Sequence, residues 1–171
     1  MKYIKKFRLF ENLESEIDLK ELEGLLIDFK QMGLDHDIKT GSSIVIDWNL
    51  FNDDNYGGSK TLYSNAIDKY GGKYTRNSLT IEFKFNTDNS NDYNIKDTSE
   101  AYDMIKDYLE NYNLIPNYIL YSYNYNYLYF ETFDTIKEYK SRISDFSNPF
   151  RMGSEDENIF KANKLVFGFY K

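Results

Sequence analysis

The chain has one histidine, His36, set between Asp35 and Asp37. Flanking carboxylates favour the protonated imidazole, and a strand or turn histidine without a catalytic role is the expected reading. There is no cysteine, which excludes thiol nucleophiles, thiolate zinc sites and disulfides. A Gly-x-Ser-x-Gly elbow, a G-x-G-x-x-G run and a phosphate loop are all missing. Gly57-Gly58-Ser59-Lys60-Thr61 carries a Lys-Thr pair after glycines, but the upstream glycine is absent and no strong strand leads into it. Asp88-Asn89-Ser90-Asn91-Asp92 alternates side-chain oxygens as a calcium loop does. Tyr93 stands where that loop needs glycine, and Ser99 where it needs a bidentate Glu. Two dispersed carboxylates, as in glycosidases, leave no local signature, and that is the one route by which catalysis could hide here. The expectation is a chain without enzymatic activity, cofactor or metal.

Residues suited to binding are more visible. Tyr118 to Phe130 reads as a tyrosine-rich hairpin closed by a three-residue loop, Asn124–Asn126. That register pairs Tyr123 with Tyr127 and Tyr121 with Tyr129, so the four rings share one face while Leu120, Leu128 and Phe130 share the other. A row of exposed tyrosines offers contact area at low entropic cost. The acidic pairs and runs Asp53, Asp54, Glu155, Asp156 and Glu157 read as solvated loop acids, or as carboxylates standing in for phosphates on a decoy surface.

Composition supports this emphasis. The 171 residues include 17 Tyr and 13 Phe, and the net charge is −7, with a pI near 4.8. Phosphate-backbone binding draws its affinity from Lys/Arg patches, and the only basic run is Lys2, Lys5, Lys6 and Arg8. Nucleic acid is therefore disfavoured as a partner. No stretch approaches the roughly 20 apolar residues that span a bilayer. The opening residues lack the apolar core of a signal peptide, so the cytoplasm is the expected compartment.

The elements that must carry these residues repeat. Asp18 to Met32 reads as a helix from Leu22, Leu25, Leu26, Phe29 and Met32, with Gly33 as its stop. Strands follow at Asp35–Lys39 and Ile44–Leu50, separated by a turn at Thr40-Gly41-Ser42; then a short helix at Leu62–Tyr70 and a strand at Leu79–Phe85. In the second half, Ser99 caps a helix to about Tyr112, whose Tyr102, Ile105, Leu109 and Tyr112 match Leu22, Leu25, Phe29 and Met32. Strands at Tyr118–Tyr123 and Tyr127–Phe133 come next. Asp134 then caps a helix over Thr135–Ile143, and a strand at Leu165–Tyr170 closes the order.

The fold class is thus α+β: two quasi-repeated α-β-β-α-β halves, with an antiparallel sheet and helices packed on one face. If Tyr3–Phe10 and Tyr93–Lys96 are leading strands, each half becomes β-α-β-β-α-β, the ferredoxin-like order. The halves would be 1–86 and 98–171, joined by a linker at 87–97, or would form one continuous domain. An RNA-recognition module shares that order and stacks bases on outward aromatics. Here the corresponding run, Tyr127 to Phe133, lacks the leading Lys/Arg-Gly and carries Glu131.

The opening Met1-Lys2-Tyr3-Ile4-Lys5-Lys6-Phe7-Arg8-Leu9-Phe10-Glu11-Asn12 resembles the start of many small accessory proteins of tailed bacteriophages, the large T4-like ones especially. The Asn, Lys, Tyr and Ile-rich composition fits an AT-rich genome. The resemblance implies a phage accessory protein working in the host cytoplasm, where such proteins often neutralise or redirect a host protein, including defence systems. It carries no catalytic motif. The resulting expectation is a non-enzymatic protein that binds a protein partner as an inhibitor. The alternatives are a structural or oligomeric phage component, an RNA-recognition-like module and a hidden carboxylate enzyme.

Overall fold

The computed structural model describes residues 17–31, 34–50, 61–63, 74–85, 91–123, 126–142 and 159–171. The expected leading strand at Tyr3–Phe10 lies outside them. Two short helices come first, α1 (Leu19–Leu25) and α2 (Ile27–Gln31). Asp18 caps α1 by accepting from the Lys20 and Glu21 amides at 3.0 and 3.2 Å, which satisfies two donors that a helix start leaves open. The helical spacing of Leu22, Leu26 and Phe29 puts all three in the core at 0% exposure.

Strand β1 (Leu34–Ile44) follows, then a 3-10 turn at Trp48–Leu50 and strand β2 (Thr61–Tyr63). This corrects three expectations. Thr40-Gly41-Ser42 is not a turn but the middle of β1, which pairs residue by residue with β3 (Thr75–Phe85) from Leu34↔Phe85 to Ile44↔Thr75. An uninterrupted ladder satisfies every backbone group it includes, and that outweighs local turn propensity. The expected strand at Ile44–Leu50 is absent as a strand. Its backbone is held by Asn117 instead: the Ile46 amide donates to Asn117 Oδ1 at 2.9 Å, and the Trp48 indole N–H donates to the Asn117 carbonyl at 2.8 Å. Leu62 and Tyr63, expected to open a helix, belong to the strand Thr61–Tyr63; residues 64–70 lie outside the described segments.

The second half runs β4 (Asn91–Asn94), α3 (Ile95–Glu110), β5 (Ile115–Tyr123), β6 (Asn126–Phe130), α4 (Phe133–Arg142), β7 (Ile159–Ala162) and β8 (Lys164–Tyr170). Two caps differ from expectation. Asn94, not Ser99, caps α3, accepting from the Lys96 and Asp97 amides at 2.9 and 3.3 Å. Thr132, not Asp134, caps α4. Its Oγ1 accepts from the Thr135 amide while Thr135 Oγ1 accepts from the Thr132 amide, a reciprocal capping box. Helix α3 ends through Asn113 at φ 60°, a conformation Asn tolerates, with the Leu114 amide reaching back to the Leu109 carbonyl.

The main sheet has six antiparallel strands in the order β1-β3-β8-β5-β6-β2. Strands β4 and β7 form a separate pair, so the leading strand of the second half lies outside the main sheet. Asn91 and Asp92, part of the calcium-like run, are ladder residues of β4.

The helices pack on one face, on Ile81, Phe83, Ile119, Tyr121, Leu128, Phe130, Leu165, Phe167 and Phe169. Phe167 lies at the centre of this layer, with ring centroids 5.9 Å from Phe29, 5.1 Å from Phe83 and 4.8 Å from Tyr102. Burying one such side chain contributes roughly 1.5–3 kcal/mol.

The two long strands β3 and β8 meet in the middle of the sheet. Leu79, Ile81 and Phe83 match Leu165, Phe167 and Phe169, and the observed pairs are Leu79↔Phe169, Ile81↔Phe167 and Phe83↔Leu165. Exchanging each residue for its counterpart returns the same ladder. Every antiparallel ladder has such a local two-fold about its central pair. Beyond it the flanks differ: β5 has β6 as its outer neighbour, whereas β1 has β3 alone among the described residues.

Candidate functional site

The tyrosine hairpin closes in a different register from the expected one. Tyr123 pairs with Asn126, Ser122 with Tyr127, Tyr121 with Leu128 and Leu120 with Tyr129, so two residues rather than three lie between the paired ends. A one-residue shift sends each paired side chain to the other face relative to its partner strand. The four tyrosines therefore do not form one ladder. Tyr121 lies with Leu128 and Phe130 in the core at 1% exposure. Tyr127 and Tyr129 lie opposite Ser122 and Leu120, on the face turned away from the helices. Tyr127 is 41% exposed and Tyr129 half-buried. The side chain of Tyr123 lies outside the described set, as do Asp53, Asp54, Glu155, Asp156 and Glu157.

This second face is a built surface. Tyr118 lies flat on Gly168, where an added Cβ would come within 2.6 Å of the ring; the glycine is what lets the ring approach the strand. Tyr129 meets Tyr118 edge-on at 5.2 Å. Leu120 and Val166 are buried beside them at 8% and 5% exposure. Burial, with Tyr129 and Glu82 nearby, pushes the Tyr118 phenol up to about 12. Burial raises Tyr129 as well, helped by Tyr127. Both rings stay neutral across the physiological range.

Toward β1 the face turns charged. Glu82 on β3 accepts from Lys39 at 2.8 Å and from Lys164 at 3.0 Å, and Lys39 also meets Asp37 at 3.3 Å. Burial works to raise the Glu82 pKa, but hydrogen bonds and charge from the two lysines outweigh it and hold the carboxyl below its usual range. Both lysines converge on a carboxylate, which leaves the patch nearly balanced in charge.

The sequence reading missed Tyr118, Glu82, Lys39 and Lys164. The signal was present in the alternation of β3, where Ser78, Thr80 and Glu82 interleave with Leu79, Ile81 and Phe83. The same parity in β5 puts Tyr118 with Leu120 and opposite in sense to Tyr121.

His36 is 10% exposed and bonds through Nε2 to Glu23 of α1 at 2.6 Å, not to its chain neighbours. Among the described residues no group of three or more His, Asp or Glu is arranged to hold a metal ion. No described helix is long and apolar enough to cross a membrane.

A cleft lies on the helical side, between α3 and the junction of β6 with α4. Its lining includes Tyr102, Asp103, Lys106, Glu131, Phe133 and Asp134, and its volume is about 260 Å³.

Comparison with protein-family models, with curated proteins and with solved structures found no match to this chain.

Proposed function

We propose that this chain is a non-enzymatic binding protein that engages a protein partner through the face of its sheet opposite the described helices. The observation that carries this reading is the outward set Tyr118, Tyr127 and Tyr129, flanked by the balanced Lys39-Glu82-Lys164 bridge. Amphipathic rings over buried Leu120 and Val166, with a polar rim, are the composition of a protein interface core. The same charge pattern weighs against an RNA-recognition-like role, because the two lysines beside the rings are already neutralised by Glu82 and Asp37. The opening residues Met1–Asn12 supply the rest of the proposal: the partner is a host protein, and the chain is a phage product that inhibits it.

Affinity capture from host lysate with quantitative mass spectrometry tests this. The wild-type chain should retain a saturable partner, and Tyr127→Ser combined with Tyr129→Ser should lose it while far-UV and near-UV circular dichroism stay unchanged. Equal retention by the folded double variant would refute the assigned face.

A carboxylate hydrolase is the second reading, favoured by Asp103, Glu131 and Asp134 lining one cleft. Such chemistry needs a carboxyl held protonated by its surroundings, and Asp134 is 88% exposed.

A further inference from the structure

The two edges of the main sheet are unlike. At one, β2 is three residues long. At the other, β1 runs for eleven, Leu34–Ile44, and is the last strand on its side among the described residues. Its register against β3 is unbroken, and it contains no proline. Short length, proline and bulges keep an edge from recruiting another strand, and β1 uses none of them. An edge strand in an antiparallel ladder also directs alternate backbone N–H and C=O groups away from its one neighbour. The flank is incompletely covered as well. Asp37 and Lys39 are 47% and 50% exposed, and Ile38 is only half-buried, whereas Ile81, its cross-strand partner, is at 0%.

Charge is the remaining protection of an edge, and on β1 the charges select a partner instead. Asp35, Asp37 and Lys39 share the face turned from the helices, while Ile38 lies with Ile81 on the other. Against a second, antiparallel β1, a register centred on Asp37 sets Asp37 against Asp37. One centred on Lys39 sets Lys39 against Lys39, and one centred on Thr40 sets neither against a charge. Centred on Ile38, Asp37 of each copy falls opposite Lys39 of the other, and Ile38 meets Ile38. His36 then faces Thr40 and Asp35 faces Gly41, so no like charges are directly opposed. Opposite charges stabilise a cross-strand pair and like charges destabilise it. We propose that β1 binds a second copy of this chain, by antiparallel β1–β1 pairing about Ile38 that runs one sheet through both copies. The contact is isologous, the same patch on each copy, so it closes as a dimer. It does not involve Tyr118, Tyr127 or Tyr129 and stands or falls apart from their partner-binding role.

Sedimentation velocity of the full chain, from low micromolar to near-millimolar concentration, should show a monomer–dimer equilibrium. Asp37→Lys sets lysine against lysine across the axis and should weaken the dimer by at least about tenfold, with circular dichroism unchanged. Adding Lys39→Asp reverses both charges, restores opposite pairing and should restore the dimer. The chain has no cysteine, so one introduced thiol reports the register. Ile38→Cys puts two thiols on the axis, with Cα atoms about 4.5–5.5 Å apart, within reach of a disulfide, and should oxidise to a covalent dimer. Ser42→Cys, far from its own counterpart in this register, should not. The thiol pair decides the register without a charge change, should Asp37→Lys fail to fold. A monomer at every concentration, a dimer indifferent to Asp37→Lys, or cross-linking of Ser42→Cys as fast as Ile38→Cys would overturn the proposal.

Discussion

The two faces of the main sheet are built from the same residue types and do opposite things. On the helical face Tyr121 is 1% exposed and sits among Leu128, Phe130 and Leu165. On the other face Tyr127 is 41% exposed, and Tyr118 and Tyr129 lean on each other beside a three-way charge bridge. Nothing about an individual tyrosine separates these fates; strand parity and the hairpin register do. Apolar rings with a polar tip make good core when helices cover them and good interface when they do not.

The contrast can be broken most forcefully at Tyr121. Tyr121→Ala should cost about 3–5 kcal/mol, as truncation of a fully buried aromatic does, read as a drop in the denaturation midpoint at unchanged slope. A cost near zero would place Tyr121 on the outer face after all. Gly168→Ala comes next. Its Cβ would meet the Tyr118 ring at 2.6 Å, so the ring must leave its seat; overpacking of this kind costs about 1–3 kcal/mol. The same variant should weaken partner binding, which separates it from a purely structural lesion.

Glu82 gives a smaller effect with a pH signature. Its folded pKa lies below the ordinary value because Lys39 and Lys164 outweigh burial. A group depressed in this sense stabilises the fold above its unfolded pKa, about 4.3 for Glu, and that contribution is lost as pH falls through the folded pKa. Glu82→Gln should therefore lower stability at neutral pH and flatten the acid limb of the stability profile below about pH 4.3. Parallel profiles for the two proteins would contradict the bridge. Tyr127→Ala should have the least effect on stability, within about 0.5 kcal/mol, while reducing partner retention.

Much of the core was legible in the sequence, for a simple reason: its periodicities are local. Leu22 and Phe29, Ile105 and Leu109, and the alternation of Leu79, Ile81 and Phe83 all point inward as their spacing requires. The α+β class, the antiparallel sheet and the helix-covered face follow from them. What misled is non-local. Thr40-Gly41-Ser42 reads as a turn until β3 is laid beside it for the full length of β1. Ile44–Leu50 alternates like a strand, but Asn117, distant in sequence, takes the hydrogen bonds a neighbouring strand would have taken. Ser99 and Asp134 are good caps in the wrong place, because Asn94 and Thr132 reach the open amides first.

The candidate surfaces were less legible still. The hairpin loop differs from expectation by one residue, and that is enough to divide the tyrosines between faces. Tyr102 was correctly placed in the core by its spacing, but that Phe133, Phe167 and Phe169 would fix its ring is encoded by no local pattern.

The most direct measurement is tyrosine nitration of the native chain, with site-specific rates from peptide mass spectrometry. The two-faced sheet predicts that Tyr127 reacts fast, Tyr129 more slowly, and Tyr121 only on unfolding. Nitration of Tyr121 in the folded protein at a rate matching Tyr127 would contradict the register, and with it the binding face built on that register.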